Sequence, residues 1–201
     1  MKVEIRNNSV LIDGYVNAVE RDSKVLEDRQ GKFIEKIKAG AFQRALDYNK
    51  KTGYSTKVLF NHDWNRKLTD TSESTTNIRE DAVGLRCTCE IRDAEVVQKA
   101  KDGKLVGWSF GFVPQRTSYA KGDVCHREIR ALDLREVSIL DDTKIPAYDG
   151  TSIEAREGDE NLIEYRLFDD KVNTEDHTEK EIPDLHKWEN RYNELRVNRH
   201  F

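Results

Sequence analysis

The sequence predicts an α+β domain that is rich in β-structure: a curved sheet or barrel of short, mostly antiparallel strands flanked by a few helices. Many short segments either alternate apolar and polar residues or form brief apolar runs, as strands do. Only two or three segments carry the capping and spacing signals of helices. A length of 201 residues suffices for one substantial core and leaves room for a charged C-terminal tail.

Strands are predicted where apolar residues recur at every second position or form a short run bounded by turn residues. The first of these segments reads as a hairpin that turns near Asn7, and the fourth places Cys87 and Cys89 on its apolar face. In chain order the predicted strand segments are 3–16, 33–37, 57–61, 84–91, 106–113, 124–132 and 134–140. The charged residues 22–31 predict a loop, and the Ser/Thr-rich residues 69–77 predict a loop or an exposed hairpin.

Two helices are predicted from their end signals. Residues 41–46 open a short helix after Gly40. A second helix is predicted up to Lys101, with Asp93 as its N-cap and Gly103 as the residue that stops it.

The composition changes beyond about residue 155, which predicts a domain over residues 1–155 and a charged tail over residues 156–201. Most of the tail is too polar to bury enough surface to order itself alone. Near its end, an apolar stripe at helical spacing predicts an amphipathic helix, which either packs on the domain or docks a partner protein. The stripe consists of Leu185, Trp188, Tyr192 and Leu195.

Composition and charge exclude several classes of protein. A formal net charge of −4 argues against a dedicated nucleic-acid-binding protein, which normally carries a basic surface. No apolar stretch approaches the ~20 residues that cross a bilayer, and the first residues lack the apolar core of a signal peptide. Three cysteines, an odd number, predict reduced thiols. We therefore expect a soluble cytoplasmic protein with no membrane or nucleic-acid partner.

The strand over residues 106–113 carries the first candidate for chemistry. Its aromatic residues at 108, 110 and 112 are predicted on one face, with Ser109 and Gly111 on the other. These small residues leave open space over the hydroxyl, and a glycine inside a strand often marks the close approach of a ligand. Ser109 is either a nucleophile or an ordinary half-buried serine, and as a nucleophile it needs an adjacent base.

Two further residues are candidates to complete a catalytic group. His62 ends a predicted strand, and histidine is the usual general base near neutral pH. Glu136 shares a face with Ser138 on an otherwise apolar strand, where a carboxylate needs a partner. Such a carboxylate would orient the imidazole and stabilise its charged form. The alternatives are a structural histidine and an ion pair of Glu136 with Arg135 or Arg92.

Six short motifs that include these residues follow one another between residues 10 and 155. The run Gly14-Tyr15-Val16 precedes them. The motifs are Ile37-Lys38-Ala39-Gly40-Ala41-Phe42, Leu59-Phe60-Asn61-His62-Asp63, Glu80-Asp81-Ala82-Val83-Gly84-Leu85, Gly107-Trp108-Ser109-Phe110-Gly111-Phe112, Leu134-Arg135-Glu136-Val137-Ser138-Ile139 and Pro146-Ala147-Tyr148. In this order and spacing they resemble the motifs of the prohead maturation serine proteases of tailed phages (caudoviruses). That family has an assemblin-like fold, the fold of herpesvirus proteases.

The resemblance implies a serine endopeptidase in which Ser109 is the nucleophile, His62 the general base and Glu136 the third member. It implies as substrates the scaffolding protein or the scaffold domain of the major capsid protein, and also the protease's own chain. The reaction would take place inside the assembling prohead, in the host cytoplasm. The resemblance implies no cofactor and no metal, and it allows a homodimer because related assemblin enzymes dimerise.

Two departures from the family pattern accompany the resemblance. Residues 68–70 stand where the family commonly has a Leu-Gly pair after the histidine segment. This difference affects the expected geometry of the loop. Residues 141–145 form a longer and more acidic link than is common before Pro146, which concerns the rim of the substrate site. Neither departure involves the three candidate residues.

Two other functions compete with the protease. The first is a catalytically silent phage scaffold or structural protein on the same fold, which the charged tail would suit but which has no reason to retain all three candidate residues. The second is a small zinc-binding structural domain, since the chain has three thiols and one imidazole for a ligand set. Those candidate ligands are Cys87, Cys89, Cys125 and His126. The first two lie on an apolar strand face, where cysteine commonly packs as a small hydrophobe.

Overall fold

The computed structural model describes residues 1–28, 31–144, 163–168 and 171–178. The strands are β1 Lys2–Ile5, β2 Val10–Ala18, β3 Asp22–Asp28, β4 Gly31–Ile37, β5 Lys57–Phe60, β6 Asp63–Asp70, β7 Thr76–Glu80, β8 Gly84–Ile91, β9 Leu105–Ala120, β10 Cys125–Asp141, β11 Glu164–Phe168 and β12 Asn173–Asp176. The helices are α1 Ala41–Thr52 and α2 Ala94–Lys101, followed late in the chain by a 3₁₀ turn, Asp142–Lys144. These elements confirm a β-rich α+β protein.

The strands form two sheets. The first has five strands in the order β12-β1-β2-β8-β7, and the second has seven, of which β11-β9-β10-β4-β3 form a continuous path. The remaining two strands join the second sheet through β10, which pairs with β5, and β5 pairs with β6. Most pairs are antiparallel; β1 with β12, β10 with β4 and β10 with β5 are parallel. Within the described residues both sheets stay open, so the barrel alternative is not formed there.

One hydrophobic core lies between the two sheets and the helices. It includes Ile12 and Leu85 of the first sheet, Phe110 and Leu134 of the second, and Phe42 of α1. The ring of Phe42 meets that of Phe110 edge-on, with 5.3 Å between centroids and an interplanar angle of 78°. Because residues of both sheets share this cluster, we treat the described chain as one packed unit.

The structure confirms several predictions made from local sequence patterns. The predicted N-terminal hairpin is the antiparallel pair β1–β2, and the alternation in β8 buries one face while the other stays partly exposed. The Asp93 side chain caps α2 by accepting hydrogen bonds from the backbone N–H groups of Glu95 and Val96. Gly103 then takes a left-handed conformation, with φ of 66°, just beyond the end of that helix.

The loop predicted over residues 22–31 is wrong. These residues include all of β3 and the first residue of β4, and the two strands pair as an antiparallel hairpin at the edge of the second sheet. Charged side chains dominate β3 because an edge strand is solvated, and lysine and acidic residues there discourage pairing with other chains. Among the β3 residues whose burial the structure describes, Leu26 is the one in the interior, so the segment shows no alternation of apolar and polar residues.

Two strands predicted near the C-terminal end of the domain are in fact one. β10 runs without a break from Cys125 to Asp141 and pairs with β9, which is one residue shorter. The pairing of β10 with β9 shifts register on either side of Asp133, as at β-bulges, so the polar residue does not interrupt the strand. The expectation of uniformly short strands is therefore wrong for β9 and β10.

The exposed hairpin proposed as an alternative for residues 69–77 is also wrong. β6 extends to Asp70 and pairs with β5, whereas β7 starts at Thr76 and pairs with β8 of the other sheet. The connection thus crosses between the sheets. The hydroxyls of Thr69 and Thr76 are 2.7 Å apart and hydrogen-bond at the crossing.

Two segments of the predicted tail pair with the sheets. β11 adds to the second sheet beside β9, and β12 adds to the first sheet beside β1. The boundary at residue 155 stays a prediction, but ordered structure reaches beyond it once the sheets supply hydrogen-bonding edges. The motif that begins at Pro146 and the amphipathic helix predicted over residues 184–195 lie outside the described residues.

In the part of the chain described here, no helix has the length and apolar character needed to span a membrane.

Candidate active site

His62 lies in a two-residue hairpin loop. β5 ends at Phe60, β6 begins at Asp63, and these two residues are paired across the turn. Asn61 and His62 have φ of 54° and 60°, both in the left-handed region, as in a type I′ turn. Asparagine tolerates this conformation, but histidine adopts it less readily, and such strain concentrates at functional sites. The fold therefore holds His62 in an unfavourable backbone conformation, and this conformation places its side chain at the site.

The end of β10 fixes this turn. The Asn61 side chain donates to Asp141 Oδ1 at 3.0 Å and accepts from the Asp141 backbone N–H at 3.1 Å, and the Asn61 N–H donates to the Ile139 carbonyl at 3.0 Å. Lys99 Nζ lies 2.7 Å from Asp141 Oδ2. Burial by itself would raise the pKa of Asp141, but hydrogen bonds, first of all from Lys99, outweigh it and lower the pKa to about 2. Asp141 is therefore ionised near neutral pH.

Glu136 meets the imidazole of His62. The Glu136 side chain is fully buried on β10, and its Oε1 lies 2.8 Å from His62 Nδ1. In the tautomer that carries its proton on Nδ1, the imidazole donates to this carboxylate and leaves Nε2 free to accept a proton. The predicted partner of the buried carboxylate is thus the histidine, and neither Arg135 nor Arg92.

Ser138 ties the same carboxylate to the His62 backbone. Its hydroxyl donates to Glu136 Oε2 at 2.5 Å and accepts from the His62 backbone N–H at 3.2 Å. Both Glu136 oxygens are therefore satisfied, and the ring and backbone of His62 are both held. Ser138 has no role among the sequence predictions, although alternation places it on the same face as Glu136.

Ser109 faces the same side of the second sheet. In the β9–β10 ladder it lies directly opposite Ser138, and Gly111 lies opposite Glu136. The Ser109 hydroxyl donates to the carbonyl oxygen of Arg166 at 2.8 Å rather than to His62. The structure thus brings His62 and Glu136 into contact and sets Ser109 on their face of the sheet, in a hydrogen bond with β11.

The open space expected above Ser109 is occupied. β11 pairs with β9 so that Leu167 lies opposite Ser109, and only 1% of the Ser109 surface is exposed. The ring of Tyr165 lies 4.3 Å from the ring of His62, between centroids. A Cβ at Gly111 would come within 2.6 Å of Glu136 Oε1 and 2.8 Å of Tyr165 Cε1. Gly111 therefore accommodates the Glu136 carboxylate and Tyr165.

The aromatic face predicted for β9 is confirmed. Trp108, Phe110 and Phe112 are all buried, and the last two rings stack at 5.2 Å with an interplanar angle of 24°. This packing makes the strand that carries Ser109 part of the core. Tyr165 and Arg166 were not predicted near the site; the only sequence signal was a brief apolar island within the polar tail.

The candidate zinc ligands are not assembled. Cys87 and Cys89 are buried on β8 in the first sheet, whereas Cys125 begins β10 in the second sheet. Burial, and then the neighbouring Cys89 thiol, raise the pKa of Cys87 well above its usual value, which disfavours the thiolate that zinc needs. Across the described ranges, no three His, Cys, Asp or Glu side chains converge as a metal site. These findings oppose the zinc-binding alternative.

A comparison with families of known proteins gives one match. The model of the family described as caudovirus prohead serine protease matches residues 1–164, which include all the residues of the site except those of β11 beyond Glu164. Neither a curated protein nor a solved structure matches significantly.

Proposed function

The chain belongs to the caudovirus prohead serine protease family, whose members are serine peptidases of capsid maturation, and we propose that its catalytic residues are Ser109, His62 and Glu136. The observation that carries this proposal is the 2.8 Å contact between His62 Nδ1 and Glu136 Oε1, on the sheet face that also carries Ser109. A buried carboxylate that orients a histidine near a serine is the arrangement that activates a serine nucleophile.

In the proposed mechanism, Ser109 Oγ forms a bond with the carbonyl carbon of a substrate peptide, and its proton passes to His62 Nε2. The peptide C–N bond then breaks, and the leaving amine takes that proton. Water attacks the resulting ester by the same route, which releases the carboxylic acid and restores Ser109. Glu136 holds the imidazole in the required tautomer and stabilises its charged form. Backbone N–H groups would stabilise the oxyanion.

Membership of the family also supports proposals about the substrates, the fold and the oligomeric state. We infer that the enzyme cleaves the scaffolding protein or the scaffold domain of the major capsid protein, and its own chain, inside the assembling prohead. The family resemblance supports an assemblin-like fold and, by analogy with related enzymes, a homodimer. Processing of the chain itself is supported by β11, a segment of this chain that lies directly against Ser109.

The proposal is tested by expressing the full chain together with the capsid and scaffold proteins encoded alongside it, and measuring the intact masses of all products. We expect the wild type to cleave itself or a partner, and Ser109→Ala and His62→Ala to lower the rate by about 10⁴-fold or more. Glu136→Gln keeps the shape of the side chain but loses the charge, and should lower the rate by about 10²–10⁴-fold.

Ser118→Ala provides a matched control. Ser118 lies on the same strand as Ser109, but its hydroxyl faces Glu128, far along the ladder from His62. This variant should cleave like the wild type. Identical intact products from the wild type and Ser109→Ala would contradict the protease and favour the silent scaffold protein.

A further inference from the structure

A buried cluster of charges anchors β11 beside Ser109. The guanidinium of Arg166 makes two hydrogen bonds to Glu35, Nε to Oε1 at 2.9 Å and Nη2 to Oε2 at 2.9 Å. It also lies 5.2 Å from the centroid of the Phe112 ring. Only 4% of Arg166 and 4% of Glu35 is exposed, so this pair is sheltered from water. Paired hydrogen bonds between arginine and a carboxylate are among the strongest and most specific in proteins.

The cluster is balanced by a second pair. Arg127 donates from both terminal nitrogens to Glu164 at 2.8 Å each, and its Nη1 lies 3.2 Å from Glu35. Glu35 on β4 and Arg127 on β10 face each other across a parallel ladder, whereas Glu164 and Arg166 both come from β11. The sheet therefore presents one acidic and one basic group, and β11 supplies the two complementary charges. Buried charges need this kind of pairing.

β11 also lies as an extended peptide would lie against the nucleophile. It is an antiparallel strand added at the edge of the second sheet, next to β9, and the carbonyl of Arg166 accepts the hydrogen bond from Ser109 Oγ. Peptides commonly bind proteins by adding a strand to a sheet edge, with pockets for alternate side chains giving specificity. Along β11 the side chains alternate: Tyr165 contacts His62, and Arg166 enters the charged cluster on the opposite face.

We propose that β11 occupies the substrate-binding cleft of this enzyme and that Glu35 is the specificity-determining residue, which selects an arginine at the position whose carbonyl meets Ser109. The inference rests on the proposed function, because it needs Ser109 as the nucleophile. In this state the Ser109 hydroxyl is hydrogen-bonded to the Arg166 carbonyl oxygen, and the ring of Tyr165 covers that of His62. β11 therefore excludes a substrate from another chain. Its tether gives it a high effective concentration, which an external peptide must overcome.

The first experiment asks whether β11 covers Ser109. The full chain is treated with a fluorophosphonate, which labels activated serines, and the rate of labelling at Ser109 is measured by mass spectrometry. Arg166→Ala removes the anchor of β11 and should label about tenfold faster than the wild type, or more. The matched control is Arg130→Ala, an exposed arginine that pairs with Glu128 and lies outside the cluster. It should label at the wild-type rate.

The second experiment asks whether Glu35 selects arginine. In the Arg166→Ala chain, a blocked peptide Glu-Tyr-Arg-Leu-Phe should protect Ser109 from labelling at about a tenfold lower concentration than Glu-Tyr-Ala-Leu-Phe. When Glu35→Gln is added to Arg166→Ala, the two peptides should protect almost equally. Circular dichroism checks that each variant is folded. If Arg166→Ala does not fold, Tyr165→Ala, which loosens β11 at a different contact, replaces it in both experiments.

The outcomes separate this inference from the proposed function. Labelling of Ser109 at the same measurable rate in the wild type and Arg166→Ala would overturn the assignment of β11 to the cleft. Equal protection by the two peptides with Glu35 intact would overturn its role in specificity. Labelling that is unchanged in Ser109→Ala, or absent from Ser109 in every folded variant, would instead overturn the proposed nucleophile.

Discussion

Gly111 lies directly beneath the carboxylate of Glu136, where any side chain would collide with the site. A Cβ there would come within 2.6 Å of Glu136 Oε1, a buried atom that is already hydrogen-bonded to His62, and within 2.8 Å of the Tyr165 ring. Real Cβ atoms essentially never approach other atoms this closely, so one of these groups would have to move. The absence of a side chain at residue 111 thus permits the contact between His62 and Glu136.

We predict that Gly111→Ala lowers the free energy of unfolding by about 1–3 kcal/mol, because the added methyl group overpacks a buried site. It should also reduce cleavage activity, since the Glu136 carboxylate is displaced from His62. Urea unfolding measures the first effect and the co-expression assay the second. Gly122→Ala is the control: Gly122 lies in an exposed turn, and the effect should stay within about 0.5 kcal/mol. Wild-type stability and activity in Gly111→Ala would contradict the prediction.

At the scale of elements, the hairpin between β5 and β6 depends on the end of β10. The strained turn that carries His62 is held by reciprocal hydrogen bonds between Asn61 and Asp141. Asp141 also pairs with Lys99 of α2, so a helix, a strand end and a hairpin meet at one buried carboxylate. The position of the candidate base is therefore set by three elements that are distant in sequence.

This arrangement predicts a pH dependence of stability. The pKa of Asp141 is about 2 in the folded protein and 3.8 for the unperturbed group. A lowered pKa in the folded state means that the ionised group stabilises the fold above about pH 4, and that this contribution is lost as the pH falls towards 2. Asp141→Asn should therefore lower the free energy of unfolding by about 1–2 kcal/mol near pH 7.

The difference between Asp141→Asn and the wild type should shrink as the pH falls from about 4 to about 2, because the wild-type carboxyl is then protonated as well. Urea unfolding at a series of pH values measures this difference. Asp123→Asn, a change at an exposed loop residue, is the control and should behave like the wild type throughout. A difference that stays constant down to pH 2 would show that the charge of Asp141 is not what stabilises the turn.

At the scale of the whole molecule, the two sheets share one core, and α1 lies across it. Phe42 of α1 is completely buried and packs against Phe110, a neighbour of Ser109 on β9. The strand that carries the candidate nucleophile is therefore rigid because the core behind it is filled. Loss of one large side chain at this junction should affect both sheets together.

We predict that Phe42→Ala lowers the free energy of unfolding by about 3–5 kcal/mol through the cavity it leaves. Tyr48→Ala on the same helix is the matched control; Tyr48 is 58% exposed, and its loss should change stability by no more than about 0.5 kcal/mol. Tryptophan fluorescence and far-UV circular dichroism should report a single shared transition for Phe42→Ala, as expected for one cooperative unit. Two separate transitions would contradict a shared core.

Features that depend on near neighbours in the chain could be predicted from local patterns of residues. The cap at Asp93, the buried face of β8 and the aromatic face of β9 are read from residues a few positions apart, because alternation and capping are local properties. The ordered motifs also indicated the family, which the match over residues 1–164 shows, and predicted His62, Ser109 and Glu136 as the candidate site. For these features, the side chains that carry the signal are also the ones that form the structure.

The contacts between distant segments became known from the folded structure. β3 pairs with the edge of β4, and β10 is continuous while it pairs with β9 from His126 to Asp141. His62 contacts Glu136, which lies 74 positions away in the sequence. The same holds for β11, which pairs with β9 and whose buried charges pair with Glu35 and Arg127. Strand pairing and buried ion pairs draw their free energy from partners remote in the chain, so no local pattern of residues encodes them.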